Sequence, residues 1–267
     1  MLFLPSIFIL ALVARCTFAH SHVDGIWAPN PSVYYPGFDP NTYDTVPYSN
    51  KTPGWYTTAQ GGRPLYPDSL ATEAIICNNG SSPAHTSAVV RAGETLRLNW
   101  WEPGPWPSNH KGPVIDYLAP CHGRCHQADA TQLRFVKIAH AGWINNSIAE
   151  GYWAADQLRL QNSSWDVRIP AFLSPGEYVL RTEIIALHQA FLAVGNGANS
   201  SIGAEFYPQC LNLQVTGNGT ASVTGGVDAR KLYTGAEPGI AYRTLHNSSE
   251  HADYVIPGPA LWSWAAA

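Results

Sequence analysis

Short runs of alternating apolar and polar residues recur along this chain, separated by turns rich in glycine and proline. Alternation with period two puts one face of a strand in a core and the other in solvent. Over residues 94–101, Leu96, Leu98 and Trp100 alternate with Thr95, Arg97 and Asn99, and Trp165, Val167 and Ile169 repeat the pattern before Pro170. A turn at Ser174-Pro175-Gly176 leads into residues 178–188, the longest predicted strand, and residues 205–215 predict another after a Gly/Asn-rich loop. The 23 glycines and 21 prolines leave little room for long helices. These elements predict an all-β fold, an antiparallel β-sandwich of immunoglobulin-like or fibronectin-like kind with long loops. Residues 28–69, full of Pro, Tyr, Asn and Gly, are too long for a simple connection and predict an ordered functional loop.

The first residues break this pattern. Residues 2–13 are apolar apart from Pro5 and Ser6, and Thr17 and Ala19 suit a cleavage site, although no Lys or Arg precedes the apolar run. This is the pattern of a signal peptide, residues 1–19, ahead of a mature domain over residues 20–267 of a secreted protein. The run is too short to cross a bilayer, which takes about 20 apolar residues. No membrane association is therefore expected after cleavage. Charged residues make up only 13% of the chain and the net charge is −4, which argues against a nucleic-acid partner. No internal repeat or linker appears, so one domain and a monomer are expected.

Cleavage would remove Cys16 and leave Cys77, Cys121, Cys125 and Cys210, an even set in an oxidising compartment. The short Cys121-His122-Gly123-Arg124-Cys125 spacing favours a local staple, leaving Cys77 with Cys210 as the long-range tie. A zinc site that also uses His122 and His126 is the competing reading. Sequons at Asn50, Asn79, Asn145, Asn162, Asn199, Asn218 and Asn247 fit a glycosylated surface.

Cleavage after Ala19 would also make His20 the amino terminus. Its α-amine and near ring nitrogen can then chelate one metal, and a second imidazole completes a planar set of three nitrogens that suits Cu(II). Both donors must be deprotonated, so binding weakens as pH falls. A rival copper mode uses His22 at the third position with backbone nitrogens, and requires an unstructured terminus. Without cleavage, His20 is an ordinary strand-end histidine.

Several ordered motifs carry a resemblance. They are His20-Ser21-His22-Val23, Asn109-His110-Lys111-Gly112-Pro113-Val114, Tyr117-Leu118-Ala119-Pro120-Cys121 and Trp165-Asp166-Val167-Arg168-Ile169-Pro170. Further along come Ser174-Pro175-Gly176-Glu177-Tyr178-Val179-Leu180-Arg181, Glu183-Ile184-Ile185-Ala186-Leu187-His188, Phe206-Tyr207-Pro208-Gln209-Cys210 and Ile256-Pro257-Gly258-Pro259-Ala260-Leu261-Trp262. Across essentially the whole mature chain this resembles the lytic polysaccharide monooxygenases of auxiliary activity family nine, once grouped with the glycoside hydrolases.

The resemblance implies one copper ion held by His20 and His110 with Tyr207 as the axial phenol, and His188 just beyond the metal. Glu205 stands where the family has glutamine. An ionised carboxylate accepts hydrogen bonds without donating and adds negative charge beside the metal, so either its pKa rises or the site behaves differently. Thr182 stands where the family commonly has histidine, and the loop over residues 189–204 is longer than usual. In a strand, Glu205 and Tyr207 share one face while Phe206 and Cys210 take the other. The family's disulfide pattern agrees with Cys77–Cys210 and Cys121–Cys125.

The resemblance also implies a polysaccharide substrate, cellulose or a related β-1,4-glucan, bound through exposed aromatics. Tyr254 is the chosen candidate among Tyr233, Tyr242, Tyr34 and Tyr35, and Trp153, Trp165 and Trp262 are assigned to packing. The implied reaction is oxidation of a glycosidic carbon, at C1 or C4, using an external electron donor and O2 or H2O2. No paired acid motif of a hydrolase is recognisable. Two other readings compete: a secreted copper- or glycan-binding protein without turnover, and a structural sandwich whose histidines bind nothing specific.

Overall fold

A computed structural model of the chain describes residues 21–29, 32–42, 50–101, 104–193 and 200–265. The proposed leader, His20 and Asn199 lie outside the described residues. No helix among the described residues is long and apolar enough to cross a membrane.

The strands are β1 (His22–Pro29), β2 (Ser32–Pro36), β3 (Ala88–Arg91), β4 (Thr95–Trp101), β5 (Val114–Pro120), β6 (Val136–Ala141), β7 (Trp143–Asn145), β8 (Tyr152–Trp153), β9 (Ser164–Arg168), β10 (Gly176–Ala186) and β11 (Glu205–Thr216). Two short helices, α1 (Ala74–Cys77) and α2 (Ala154–Leu160), accompany them. One sheet has the order β2-β1-β4-β9 and the other β3-β11-β10-β5-β6, with β7 and β8 forming a small ribbon. Every pairing in the two large sheets is antiparallel except β11 with β3. The predicted sandwich is therefore present. The longest strand is β11, with 12 residues, rather than β10 with 11.

Strand β4 behaves as its alternation predicts: Leu96, Leu98 and Trp100 are fully buried while Thr95 and Arg97 face solvent. They join a core to which both sheets contribute, including Ile26, Val167, Leu118, Leu180, Ile184, Tyr207 and Leu211. A second apolar cluster contains Ile115, Tyr117, Val179, Ile185 and Phe206 with residues of long connections, among them Trp55, Leu65, Ile75 and Tyr233. The five-stranded sheet is thus covered on both faces, and β10 is buried along nearly all its length.

That burial takes in charged residues, which must then be paired. Arg181 and Glu183 are fully buried and form two hydrogen bonds, Nη1 to Oε2 at 2.9 Å and Nη2 to Oε1 at 2.7 Å. The same guanidinium donates to the backbone carbonyls of Ile75 and Ile76 in α1. These carbonyls belong to the last turn of a short helix, where no partner exists within the helix itself. Arg181 thereby anchors the helix that carries Cys77. That cysteine is bonded to Cys210 on β11, and Cys121 is bonded to Cys125. The sulfurs are committed to disulfides and His122 and His126 are exposed, so the competing zinc site is not formed.

Residues 28–69 form part of β1, β2 and several short turns among their described residues. The hairpin of β1 and β2 pairs Trp27 with Tyr34. Farther on, Leu65 exchanges two backbone hydrogen bonds with Phe206, each 2.9 Å, which sets the neighbouring Tyr66 beside the start of β11.

Candidate metal centre

Four residues from three segments converge at the end of the β10–β11 pair. Ladder pairing of Ala186 with Glu205 fixes the end of β10 against the start of β11. His188 follows β10 by two residues, while Glu205 and Tyr207 sit two apart on β11 and share a face, as strand alternation predicts. Phe206 lies in the opposite cluster.

His110 arrives from a loop that the next three residues tie down. The Lys111 carbonyl accepts from the Leu187 amide at 2.8 Å, and the Pro113 carbonyl accepts from the Ile185 amide at 3.1 Å. Between them Gly112 has φ of 154°, and a Cβ there would stand 2.0 Å from the Ile185 carbonyl oxygen. Only glycine lets the two backbones approach this closely. The buried Lys111 ammonium reaches the Asp156 carboxylate at 3.1 Å and the Gly151 carbonyl at 3.2 Å. Asp156 also accepts from the Trp153 amide and so caps α2. The residues around the histidine in this motif are therefore its mounting.

In the resulting cluster His110 and His188 stack with ring centroids 4.0 Å apart. Nε2 of His110 is 3.4 Å from Oε2 of Glu205, and Nε2 of His188 is 3.7 Å from Oε1. Tyr207 donates its hydroxyl hydrogen to Oε2 of Glu205 at 2.5 Å. His110, Glu205 and Tyr207 are buried, and His188 is only slightly exposed. One ligand atom from each of His110, His188 and Glu205 can be chosen so that all lie within 4.8 Å of one another. Two imidazole nitrogens and a carboxylate within this span are a donor set of the kind that holds copper or zinc.

Burial pushes the Glu205 carboxyl up, but hydrogen bonds from His110 and Tyr207 and the charge of His188 outweigh it and hold it below the usual carboxylate value. The structure thus favours an ionised Glu205 over one that stays protonated to donate. Burial and the adjacent carboxylate together raise Tyr207 well above an ordinary phenol, so it remains a neutral donor.

Two neighbours carry no motif signal. The Trp106 indole packs edge-on to both His110 and Tyr207, with centroids at 5.8 and 5.1 Å, and donates Nε1–H to the His110 carbonyl at 2.9 Å. Tyr66, delivered by the Leu65–Phe206 bridge, has its pKa raised by burial and then by the charge of Glu205, to which it hydrogen-bonds. Asn109 Oδ1 lies 3.0 Å from Nδ1 of His110 and leaves Nε2 as the nitrogen turned toward Glu205.

Other expected residues fall elsewhere or out of view. His20 lies outside the described residues. His22 is buried within β1, and burial lowers its pKa to about 4. Its strand pairing with Trp101 removes the unstructured terminus that the rival copper mode requires. Thr182 is buried within β10, in register with Asp116 and Gln209. Tyr254 is half-buried, edge-on to Trp153 and Tyr242, and its hydroxyl donates to the Gly239 carbonyl at 2.9 Å. That arrangement packs the ring instead of presenting a free face. Tyr233 and Tyr242 are buried and hydrogen-bonded to Glu183 and His251 respectively. Trp153 and Trp165 are buried and Trp262 packs against the core.

Comparison with known proteins gives one consistent result. Residues 20–254 match the sequence profile of Auxiliary Activity family 9 (formerly GH61). The chain is 42% identical over 260 residues to AA9 family lytic polysaccharide monooxygenase G of Emericella nidulans, covering 94% of this chain and 88% of the relative. It is 42% identical over 254 residues to monooxygenase F of Malbranchea cinnamomea, covering 95% and 96%. Among solved structures it is similar to the extended catalytic domain of LPMO9A from H. jecorina, with a TM-score of 0.79, 37% identity and 91% of each chain covered.

Proposed function

This chain belongs to Auxiliary Activity family 9, and on that premise we propose that it is a secreted, monomeric, copper-dependent monooxygenase that cleaves cellulose or a related β-1,4-glucan. The observation that carries this reading is the buried convergence of His110, His188, Glu205 and Tyr207 at the end of the β10–β11 pair. His110 would supply an imidazole nitrogen and Tyr207 its phenol oxygen, with His20 as the terminal chelate after removal of residues 1–19. The donor set fits copper: Nε2 of His110 already points into the cluster, fixed by Asn109 on its other nitrogen.

Copper, when bound, supplies the redox chemistry by which O2 or H2O2, with electrons from an external donor, oxidises a glycosidic carbon at C1 or C4. The side chains have separate tasks around it. Glu205 accepts a hydrogen bond from the Tyr207 hydroxyl, which fixes the direction of the phenol oxygen's lone pairs. Its charge would offset that of a cation held by the neighbouring imidazoles. His188, with its imidazole near the same carboxylate, is placed to hold or move a proton at Nε2. Trp106 packs against His110 and Tyr207 and restrains both rings.

The test is mass spectrometry of cellulose, xyloglucan and glucomannan incubated with copper-loaded protein and ascorbate. Oxidised oligosaccharides from at least one glycan, lost in His110→Ala, are expected. Copper binding with no oxidised product from any of them overturns the catalytic reading in favour of a copper- or glycan-binding protein. The observation favouring that alternative is the ionised Glu205 at the family's glutamine position. A mature amino terminus other than His20 would dismantle the terminal chelate.

A further inference from the structure

The outer face of the four-stranded sheet carries an aligned row of side chains remote from the metal centre. Strand register places Tyr34 of β2 opposite Trp27 of β1, Trp27 opposite Arg97 of β4, and Arg97 opposite Asp166 of β9. Trp27 is 49% exposed and Tyr34 48%, with ring centroids 4.7 Å apart. Arg97 grips Asp166 with two parallel bonds, Nε to Oδ1 at 2.7 Å and Nη2 to Oδ2 at 2.8 Å, and both side chains stay largely open to solvent. A shallow depression of about 480 Å³ runs beside the row, bordered by Trp27, Ser32, Thr95, Arg97 and Asp166.

We infer that this row is a second saccharide site, which binds a neutral, extended β-linked glucan chain across β2, β1, β4 and β9. Stability alone does not account for the arrangement. An exposed ion pair contributes about 0–1 kcal/mol, and a half-exposed indole forgoes much of the gain from burial. The chemistry matches a sugar instead. A pyranose ring offers an apolar face of C–H groups that stacks on an aromatic ring, and a rim of hydroxyls that both donate and accept. Trp27 and Tyr34 supply the aromatic surface. Bidentate pairing through Nε and Nη2 leaves Arg97 Nη1 and the remaining Asp166 lone pairs for neighbouring hydroxyls.

The rest of the geometry narrows the ligand class. The two charges cancel, so the row offers no net attraction for an anion or a basic protein. Four strands about 4.8 Å apart give a straight row of roughly 14 Å, which suits an oligosaccharide more than a single sugar. A row that crosses four strands, with its two aromatic planes tilted 50° to each other, suits an extended β-linked chain better than a coiled α-linked one. Trp27, Arg97 and Asp166 belong to the four-stranded sheet, whereas His110, His188, Glu205 and Tyr207 gather at the end of the β10–β11 pair of the other sheet, so this contact is separate from the metal centre. The inference stands on this face alone and does not require turnover.

The experiment is isothermal titration of the whole mature protein with cellohexaose, in a His110→Ala background that disables the proposed metal centre. Binding is expected to persist there, and to weaken about tenfold, roughly 1.4 kcal/mol, on adding Trp27→Ala or Arg97→Gln. Both positions are exposed, and unchanged thermal melting checks that each variant is folded. A Tyr34→Ser variant serves if either of the others melts early. Equal affinity in folded row variants overturns the proposal. So does loss of all binding in His110→Ala alone, equal binding of maltohexaose, or a Trp27-dependent dimer in light scattering. Oxidised-product analysis of the unmutated protein reads the catalytic proposal independently, so either can fail without the other.

Discussion

Tyr207 donates its hydroxyl hydrogen to Glu205 across 2.5 Å, from the same face of one strand. Held ionised, Glu205 is an acceptor that cannot donate and that carries charge beside the two imidazoles.

Glu205→Gln is expected to weaken Cu(II) binding by roughly tenfold or more, the usual range for residues that support metal ligands. Hydrogen bonds hold the carboxyl ionised below the usual carboxylate range, so the difference should persist from neutral pH into mild acid. Competition with a calibrated chelator measures it. Equal affinities would show that the charge is not felt at the metal.

The backbone at Gly112 gives a second test. Gly112→Ala drives a Cβ into the Ile185 carbonyl, whereas Gly123→Ala has a similar φ, 156°, and nothing within 4 Å. Both incur backbone strain of about 1–3 kcal/mol. Only the first should also displace His110, so Gly112→Ala should melt earlier and lose copper affinity while Gly123→Ala keeps it. Similar losses in both would mean that strain alone governs.

Asp116 governs a dependence of stability on pH. Burial pushes its pKa to about 6, against an ordinary 3.8, despite a 2.9 Å hydrogen bond from the Trp165 indole. The folded state therefore holds a proton that the unfolded chain releases between about pH 4 and 6, and stability contributed by this group falls as pH rises through that window. The rise corresponds to about 3 kcal/mol as an upper bound. Asp116→Asn keeps an acceptor for Trp165, so it should remove this slope and stabilise the protein at pH 7. Urea unfolding from pH 4 to 7 reads both, and an unchanged slope would contradict the assignment.

The disulfides should differ in their contribution. Cys77–Cys210 closes 133 residues and Cys121–Cys125 closes four. Chain entropy gives about 5 kcal/mol for the first and about 2 kcal/mol for the second. Paired Cys→Ala variants in denaturant should show the larger loss at Cys77 and Cys210. The reverse order would point to a specific packing role for the small loop.

Period-two alternation locates β4 and β9, because half-buried strands obey a strict geometric rule, and strand geometry alone places Glu205 and Tyr207 on one face of the doubly buried β11. Buried charges on β10 escape that rule. Arg181 and Glu183 share a face with Val179 and Ile185, and it is the loops packed over that face that make their pairing necessary. Trp106 and Tyr66 reach the centre through a loop turn and a single backbone bridge, features with no periodicity to read. In the Asn109-His110-Lys111-Gly112-Pro113 motif the histidine is legible as chemistry. The lysine and glycine become intelligible only when Asp156 and Ile185 are seen against them. Tyr254, chosen by its place in a loop, proves to be held by Trp153 and Tyr242, since aromatic content alone does not distinguish an open ring from a packed one.

The strand that carries Glu205 and Tyr207 is also the last to be synthesised, and it lies between β3 and β10. A growing chain has His110 early but lacks its carboxylate and phenol neighbours until β11 has emerged. The five-stranded sheet cannot close before then, and pairings so distant in sequence form slowly. An incomplete chain thus offers only a partial donor set to passing ions. Under the proposed function, the full donor set therefore exists only once β11 has paired with β10.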